Sequence, residues 1–206
     1  MMIAGLGLMF WIILFTGLMA VFMFLERMLA LRRAQIDYKD FVNGVCNVLT
    51  RNKNDEEATM LCEETPGPVA AVALTAITHY RTSTYEKLCE MVEKTGQAEI
   101  SRLERRVAAI AVTSHIAPLL GLAGTLVGVM RVLLVLNEQA PLVQGVALTA
   151  GLMQALVSTV AGLVVAVICY IMHTMLILRI ERIAQDMEVG AAEIVTYLMR
   201  EDKPVK

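Results

Sequence analysis

The first Asp, Glu, Lys or Arg in this chain is Glu26, and the charge-free run before it constrains the fold more than any other feature. From Ile3 to Leu25 the run covers about 23 residues, which at about 1.5 Å per helical residue reaches roughly 35 Å, enough to cross a bilayer. A secretory signal peptide would begin with basic residues and end at small ones. Nothing basic precedes this run, and it closes on Phe24-Leu25-Glu26-Arg27. An uncleaved transmembrane helix is expected.

Two more apolar runs follow. Val107 to Leu136 contains only Arg131 and His115 as chargeable groups, and no Asp, Glu, Lys or Arg occurs between Gln139 and Leu178. Each would measure roughly 45–50 Å or more as a helix, longer than the roughly 30 Å hydrocarbon layer. Spans two and three are therefore expected to tilt or to continue as rods beyond the membrane, their projecting apolar surface covered by protein. The expected fold is an all-α integral membrane protein. Its transmembrane helices are 1–25, 107–136 and 142–178, with a cytoplasmic helical domain at 26–106, an outer turn at 137–141 and a helical tail at 179–206.

Composition narrows the function. Of the 206 residues, 57% are hydrophobic and 18% charged, with a net charge of -2, whereas a soluble domain typically has about 45–50% and about 25%. A soluble single-core enzyme is excluded on this balance. There is also no basic surplus to neutralise a phosphate backbone, so no nucleic-acid partner is expected.

Basic residues set the orientation. Arg27, Arg32, Arg33 and Lys39 follow span one, Arg102, Arg105 and Arg106 precede span two, and Arg179 and Arg182 follow span three, while Asn137-Glu138-Gln139-Ala140-Pro141 has none. By the positive-inside rule the N-terminus and that turn face outward and the remaining loops lie in the cytoplasm. Residues 26–106 are balanced, with 12 Lys/Arg and 13 Asp/Glu. Breaks at Asn52-Lys53-Asn54-Asp55 and Pro66-Gly67-Pro68 separate three helical stretches, the last running from roughly Thr84 into span two. That stretch has an intermittent apolar face of Leu88, Met91, Val92, Ile100 and Leu103. Ile180, Ile183, Met187, Ile194 and Leu198 give the tail a face that would pack against it. Cys46, Cys62, Cys89 and Cys169 form no CxxC pair and read as small buried residues in a reducing compartment, with no metal site or cofactor indicated.

Helices in lipid associate where small residues let backbones approach. Span two has such a stripe in Ala117, Gly121, Thr125 and Gly128, with Gly124 beside it; span three has Ala155, Thr159, Gly162 and Ala166, with Gly151 one turn earlier. Each stripe carries a threonine. Its hydroxyl either faces a neighbouring helix or polar pore, or bonds the carbonyl three or four residues back. Gln154 and Ser158 add an amide and a second hydroxyl, polar groups that in hydrocarbon need protein or water beside them. They line an ion path or act as interhelical glue. Neither Gln nor Thr titrates near neutral pH, so any proton carrier must come from elsewhere. Arg131 is either an interfacial anchor, within snorkelling reach of the outer turn, or a pore-mouth residue. His115 and His173 lie toward the cytoplasmic ends of their spans and read as structural. Gly121 to Gly128 lacks the Gly-Lys-Ser/Thr ending of a phosphate loop, so nucleotide binding is rejected, and no catalytic constellation is present.

Leu103-Glu104-Arg105-Arg106, the segment Ile116-Ala117-Pro118-Leu119-Leu120-Gly121-Leu122-Ala123-Gly124-Thr125-Leu126-Val127-Gly128, and the segment Gly151-Leu152-Met153-Gln154-Ala155-Leu156-Val157-Ser158-Thr159-Val160-Ala161-Gly162-Leu163 together resemble the signature spans of the ExbB/TolQ proton-channel family, distantly related to the flagellar stator protein MotA. Three spans instead of four separate the chain from MotA itself. The resemblance implies an inner-membrane homopentamer around a dimer of ExbD/TolR-like single-span subunits, whose essential membrane Asp supplies the titrating group. It also implies that Thr125 and Thr159 face the pore near that Asp. Proton entry would then drive relative rotation, and a periplasm-spanning TonB-like or Tol-type partner would carry the work to the outer membrane. One charge moved through 100 mV releases about 2.3 kcal/mol, so a few such steps suffice for a mechanical cycle. Two departures stand out. Gln154 occupies a position where many relatives have Glu, which leaves H⁺ against Na⁺ open, and only two residues precede the first span. The competing class is a non-conducting membrane scaffold whose small-residue stripes serve assembly alone.

Overall fold

The computed structural model of the chain describes residues 8–34, 38–52, 55–139 and 145–201. The start of span one before Leu8, the outer turn from Ala140 onward, the first residues of span three and the Lys53-Asn54 break lie outside the described residues. Six α-helices follow in order: α1 (Leu8–Ala34), α2 (Tyr38–Asn52), α3 (Asp55–Glu64), α4 (Pro68–His79), α5 (Tyr85–Gln139) and α6 (Gly145–Glu201). No strand occurs among the described residues. Helices α1, α5 and α6 are the three that are long and apolar enough to cross a membrane. The chain divides into two compact units, Met1–Arg27 with Val107–Met175, and Met28–Arg106 with Leu176–Lys206.

In the first unit α1 is apolar on every side, as a helix surrounded by lipid and protein should be. Its protein-facing stripe is Ile13, Gly17 and Ala20; Ile13 and Ala20 are buried, and a Cβ on Gly17 would stand 3.1 Å from Val165 of α6. Trp11, Phe15, Leu18, Phe22 and Leu25 cover the remaining faces and are exposed, as lipid contact requires. Helix α5 continues through Pro118. The ring removes one backbone donor, a loss that a spanning helix tolerates where neighbouring groups re-satisfy the freed carbonyl.

In the second unit α2 packs on α3 and α3 on α4. Gly67 has φ 147°, a region that L side chains rarely adopt, and Pro68 opens α4 where its missing N–H costs nothing. The Pro66-Gly67-Pro68 break is thereby explained. A further break at residues 80–84 separates α4 from α5, which opens at Tyr85, one residue past the expected start near Thr84. It lacks Gly and Pro and is built from Thr82, Ser83 and Thr84, with the Thr82 amide donating to His79 O at 3.2 Å and Leu88 N to Thr84 O at 2.8 Å. The buried residues of α6 here include Leu176, Ile180, Ile183, Met187, Ile194, Val195 and Leu198, and Leu88 and Val92 of α5 are buried too. Both are the apolar faces expected from the sequence, although Met91, Ile100 and Leu103 are only half-buried. Gly190 admits Val42 and Val69, at 3.3 and 3.6 Å from where its Cβ would be, and Thr50 and Tyr197 share a hydrogen bond at 2.5 Å that ties α2 to α6.

Candidate functional site

Helices α5 and α6 run antiparallel in the first unit, so residues equally far from the turn between them face one another. The small-residue stripes meet in that register. A Cβ on Gly162 would lie 2.7 Å from Ala117 O and 2.8 Å from Gly121 Cα, and one on Gly128 would lie 2.7 Å from Ala155 Cβ. Nearer the outer turn, a Cβ on Gly151 would meet Val132 Cγ2 at 2.5 Å. Ala117, Ala155 and Ala166 are buried. Without side chains at these crossings the backbones approach closely, which in lipid supplies the dispersion contacts that hydrophobic drive cannot.

That closeness brings the threonines together. Thr125 Oγ1 lies 2.5 Å from Thr159 Oγ1, and Thr125 also donates to Gly121 O at 3.0 Å. Thr159 Oγ1 reaches Ala155 O at 3.3 Å and Gly121 O at 3.5 Å. Each hydroxyl contacts its own helix's carbonyl and also the opposite hydroxyl on the neighbouring helix. Two protons are shared among three kinds of acceptor. If Thr125 donates to Gly121 O, Thr159 donates to Thr125, and a lone pair on Thr159 stays free for an outside donor. Both residues are half-buried.

Gln154, Ser158 and Arg131 gather on the α1 side of the same hairpin. The Arg131 guanidinium donates through Nη1 to Gln154 Oε1 at 3.2 Å. Ser158 is 4% exposed, and its Oγ occupies the notch left by Gly124, where an added Cβ would collide with it. That Oγ is buried without a hydrogen-bond partner among the described groups. Met9 and Phe10 of α1, with Gly124, Arg131, Gln154 and Ser158, line a cavity of about 150 Å³. The four polar residues singled out from span three and its partner therefore separate into a threonine pair on one side of the seam and an amide–hydroxyl set on the other, where α1 covers it.

The remaining candidates stand apart. His115 lies about 15 Å along α5 from Thr125; its Nδ1 sits 2.7 Å from Ala111 O and carries the proton there, while Ser114 donates to the same carbonyl at 2.7 Å. His173 is half-buried. All four cysteines are free, and among the described residues no three His, Cys, Asp or Glu are grouped as metal ligands. Sequence reasoning missed the Arg131–Gln154 pairing. The register shows it only once the helix ends are known: Arg131 lies 8 residues before Gln139, the end of α5, and Gln154 lies 9 after Gly145, the start of α6, whereas they stand 6 and 13 residues from the expected turn at 137–141.

Residues 63–189 match the MotA/TolQ/ExbB proton channel family. The chain is 36% identical over 105 residues to the Tol-Pal system protein TolQ of Haemophilus influenzae, a stretch covering 50% of this chain and 45% of that protein. It is 33% identical over 155 residues to the ExbB-like 3 protein of Synechocystis, covering 73% of this chain and 71% of the relative. The first match spans less than half of the TolQ relative's length. The family match contains the threonine pair, the glycine crossings and the Arg131–Gln154 contact. On that span of sequence and three membrane-crossing helices, the chain belongs to the MotA/TolQ/ExbB proton channel family.

Proposed function

We propose that this chain is the ring-forming, ion-conducting subunit of a Tol- or Exb-type motor in the bacterial inner membrane, with its N-terminus periplasmic and its C-terminus cytoplasmic. It has no enzymatic role. Five copies surround two single-span ExbD/TolR-like helices, and a TonB-like or Tol-type partner spans the periplasm. The observation that carries this reading is the Thr125–Thr159 pair, a polar couple at the closest approach of two spans that contain no carboxylate from Val107 to Asn137 or from Gln139 to Leu178. Hydroxyls can pass a proton along or hold a cation through lone pairs, but they cannot bind a proton stably near neutral pH. A carboxylate on the partner helix completes the path. Moving one charge through it at 100 mV makes about 2.3 kcal/mol available for rotation.

A non-conducting scaffold is the second reading, favoured by the fact that both hydroxyls also reach i−4 carbonyls of their own helices, a contact that needs no ion. Thr125→Val and Thr159→Val distinguish the two. In a motor they abolish energised outer-membrane function while the ring still assembles with its partner; in a scaffold both variants work as wild type, and the ion-path assignment fails. A sodium-driven motor would lose function with the same variants but would respond to a sodium gradient instead of a proton gradient.

A further inference from the structure

Arg131 is the one Asp, Glu, Lys or Arg between Val107 and Asn137, and the facing helix has no carboxylate from Gln139 to Leu178. Among the described residues its hydrogen-bond partner is the neutral Gln154 oxygen at 3.2 Å. The nearest acidic residue along the chain, Glu138, lies in the last turn of α5, seven residues or about 10 Å along the axis from Arg131. A guanidinium in or near hydrocarbon is costly without an opposite charge, and among the described residues Arg131 has no carboxylate partner.

The cavity beside it has the complementary shape and donor set. By accepting from Arg131, the Gln154 carbonyl turns the amide nitrogen away as a two-proton donor. The guanidinium keeps further N–H groups, and Ser158, nine-tenths buried and lining the same cavity, has a hydroxyl with no partner. Met9, Phe10, Gly124 and Val127 close the other walls, and none of the lining residues is acidic. The roughly 150 Å³ is about ten times the roughly 10–15 Å³ that a single water needs. Arg131 is exposed at one edge, which leaves an entrance. A site with donors, positive charge and no acidic group repels cations and favours an oxyanion, and guanidinium binds phosphate through paired N–H···O bonds. Six residues separate Arg131 from Asn137, about 9 Å along α5, so a headgroup at the membrane surface is within reach.

We propose that the Arg131–Gln154–Ser158 cavity is a phosphate-oxyanion site, filled by an anionic lipid headgroup or by free phosphate. The test uses the full chain, purified in a phosphate-free detergent and stripped of lipid. Phosphatidylglycerol, diacylglycerol and inorganic phosphate are titrated separately, and binding is read by native mass spectrometry and calorimetry. Phosphatidylglycerol is expected to bind at one site per chain and diacylglycerol, which has the chains without the phosphate, is not. Arg131→Gln and the nearly isosteric Gln154→Glu, which supplies an internal counter-charge, should each weaken binding at least tenfold, and Ser158→Ala about threefold. Binding of inorganic phosphate alone would identify the source as the free ion; binding of the lipid without it would identify the headgroup, and both support the site. Equal binding of diacylglycerol, or unchanged affinity in folded Gln154→Glu, would overturn it. So would loss of the lipid when the single-span partner is co-purified, with recovery when the partner's membrane carboxylate is changed to an amide. That result would make the partner's carboxylate the counter-charge of Arg131.

Discussion

Replacing Gly162 with alanine adds one methyl group at the tightest backbone crossing in the first unit. The new Cβ would stand 2.7 Å from Ala117 O, 2.8 Å from Gly121 Cα and 3.0 Å from Gly121 N. All three are backbone atoms and cannot swing aside. Carbon contacts settle at about 3.5–4.0 Å, so α5 and α6 must separate by about 1 Å at this point. Overpacking of this kind costs about 1–3 kcal/mol. Thr159 lies one turn before Gly162 and Thr125 one turn after Gly121, so the same movement stretches their 2.5 Å contact past ordinary hydrogen-bond length. Losing that bond adds about 0.5–1.5 kcal/mol. Removing a mid-helix glycine returns about 0.5–1 kcal/mol, which leaves a net destabilisation of about 0.5–4 kcal/mol, centred on about 2 kcal/mol. Equilibrium unfolding in mixed micelles, titrated with SDS and followed by helicity, measures it. Two glycines calibrate the scale. Gly44 has no atom within 4 Å of its would-be Cβ, so Gly44→Ala should be neutral or stabilising by up to about 1 kcal/mol. Gly96 meets only the flexible Met187 Cε at 3.4 Å and Val72 Cγ2 at 3.9 Å, so Gly96→Ala should be tolerated. If Gly162→Ala proved as stable as Gly44→Ala, the close crossing and the threonine contact that depends on it would both be wrong.

Other consequences can be measured in the second unit. Burial pushes the Cys62 thiol up to about 11, so less thiolate is present at neutral pH, and maleimide should label it at least tenfold more slowly than half-buried Cys89; equal rates would contradict its burial. Leu88 is fully buried and Met60 is 60% exposed. Leu88→Ala should therefore cost about 2–5 kcal/mol in the same unfolding assay and Met60→Ala less than about 0.5 kcal/mol. Tyr197→Phe removes only the hydroxyl bonded to Thr50 and should cost about 0.5–1 kcal/mol, at the lower end because the pair is exposed; no change would show that this tie between α2 and α6 carries nothing.

Several features could be read from the residues because their physics is local or one-dimensional. Charge-free length located α1, α5 and α6, and helical spacing picked out Ile180, Ile183, Met187, Ile194 and Leu198 as one buried face. Spacing also put Thr125 and Thr159 on the close-packing faces. The sequence places the start of α5 near Thr84, but the 80–84 break itself is marked more weakly than the one at Gly67, because a Ser/Thr turn competes with helix through side-chain and backbone bonds, without Gly or Pro. The division between the threonine pair and the Gln154–Ser158 set depends on register across two helices. Adjacent positions such as Gly124 and Thr125 diverge by about 100° around the axis and so fall on opposite sides of the seam. Gln154 and Thr159 share a helix and a polar character, and composition groups them together. Only the position of α1, with Met9 and Phe10 over one side, separates them.

The central claim is that ions cross the membrane past the Thr125–Thr159 pair. The most direct measurement is proton flux into proteoliposomes that contain this chain with its single-span partner, driven by an imposed potential and compared at matched assembly. Thr159→Val should reduce the flux to the level of empty liposomes, while Thr159→Ser, which keeps the hydroxyl, should retain most of it. Flux through Thr159→Val equal to wild type would contradict the claim.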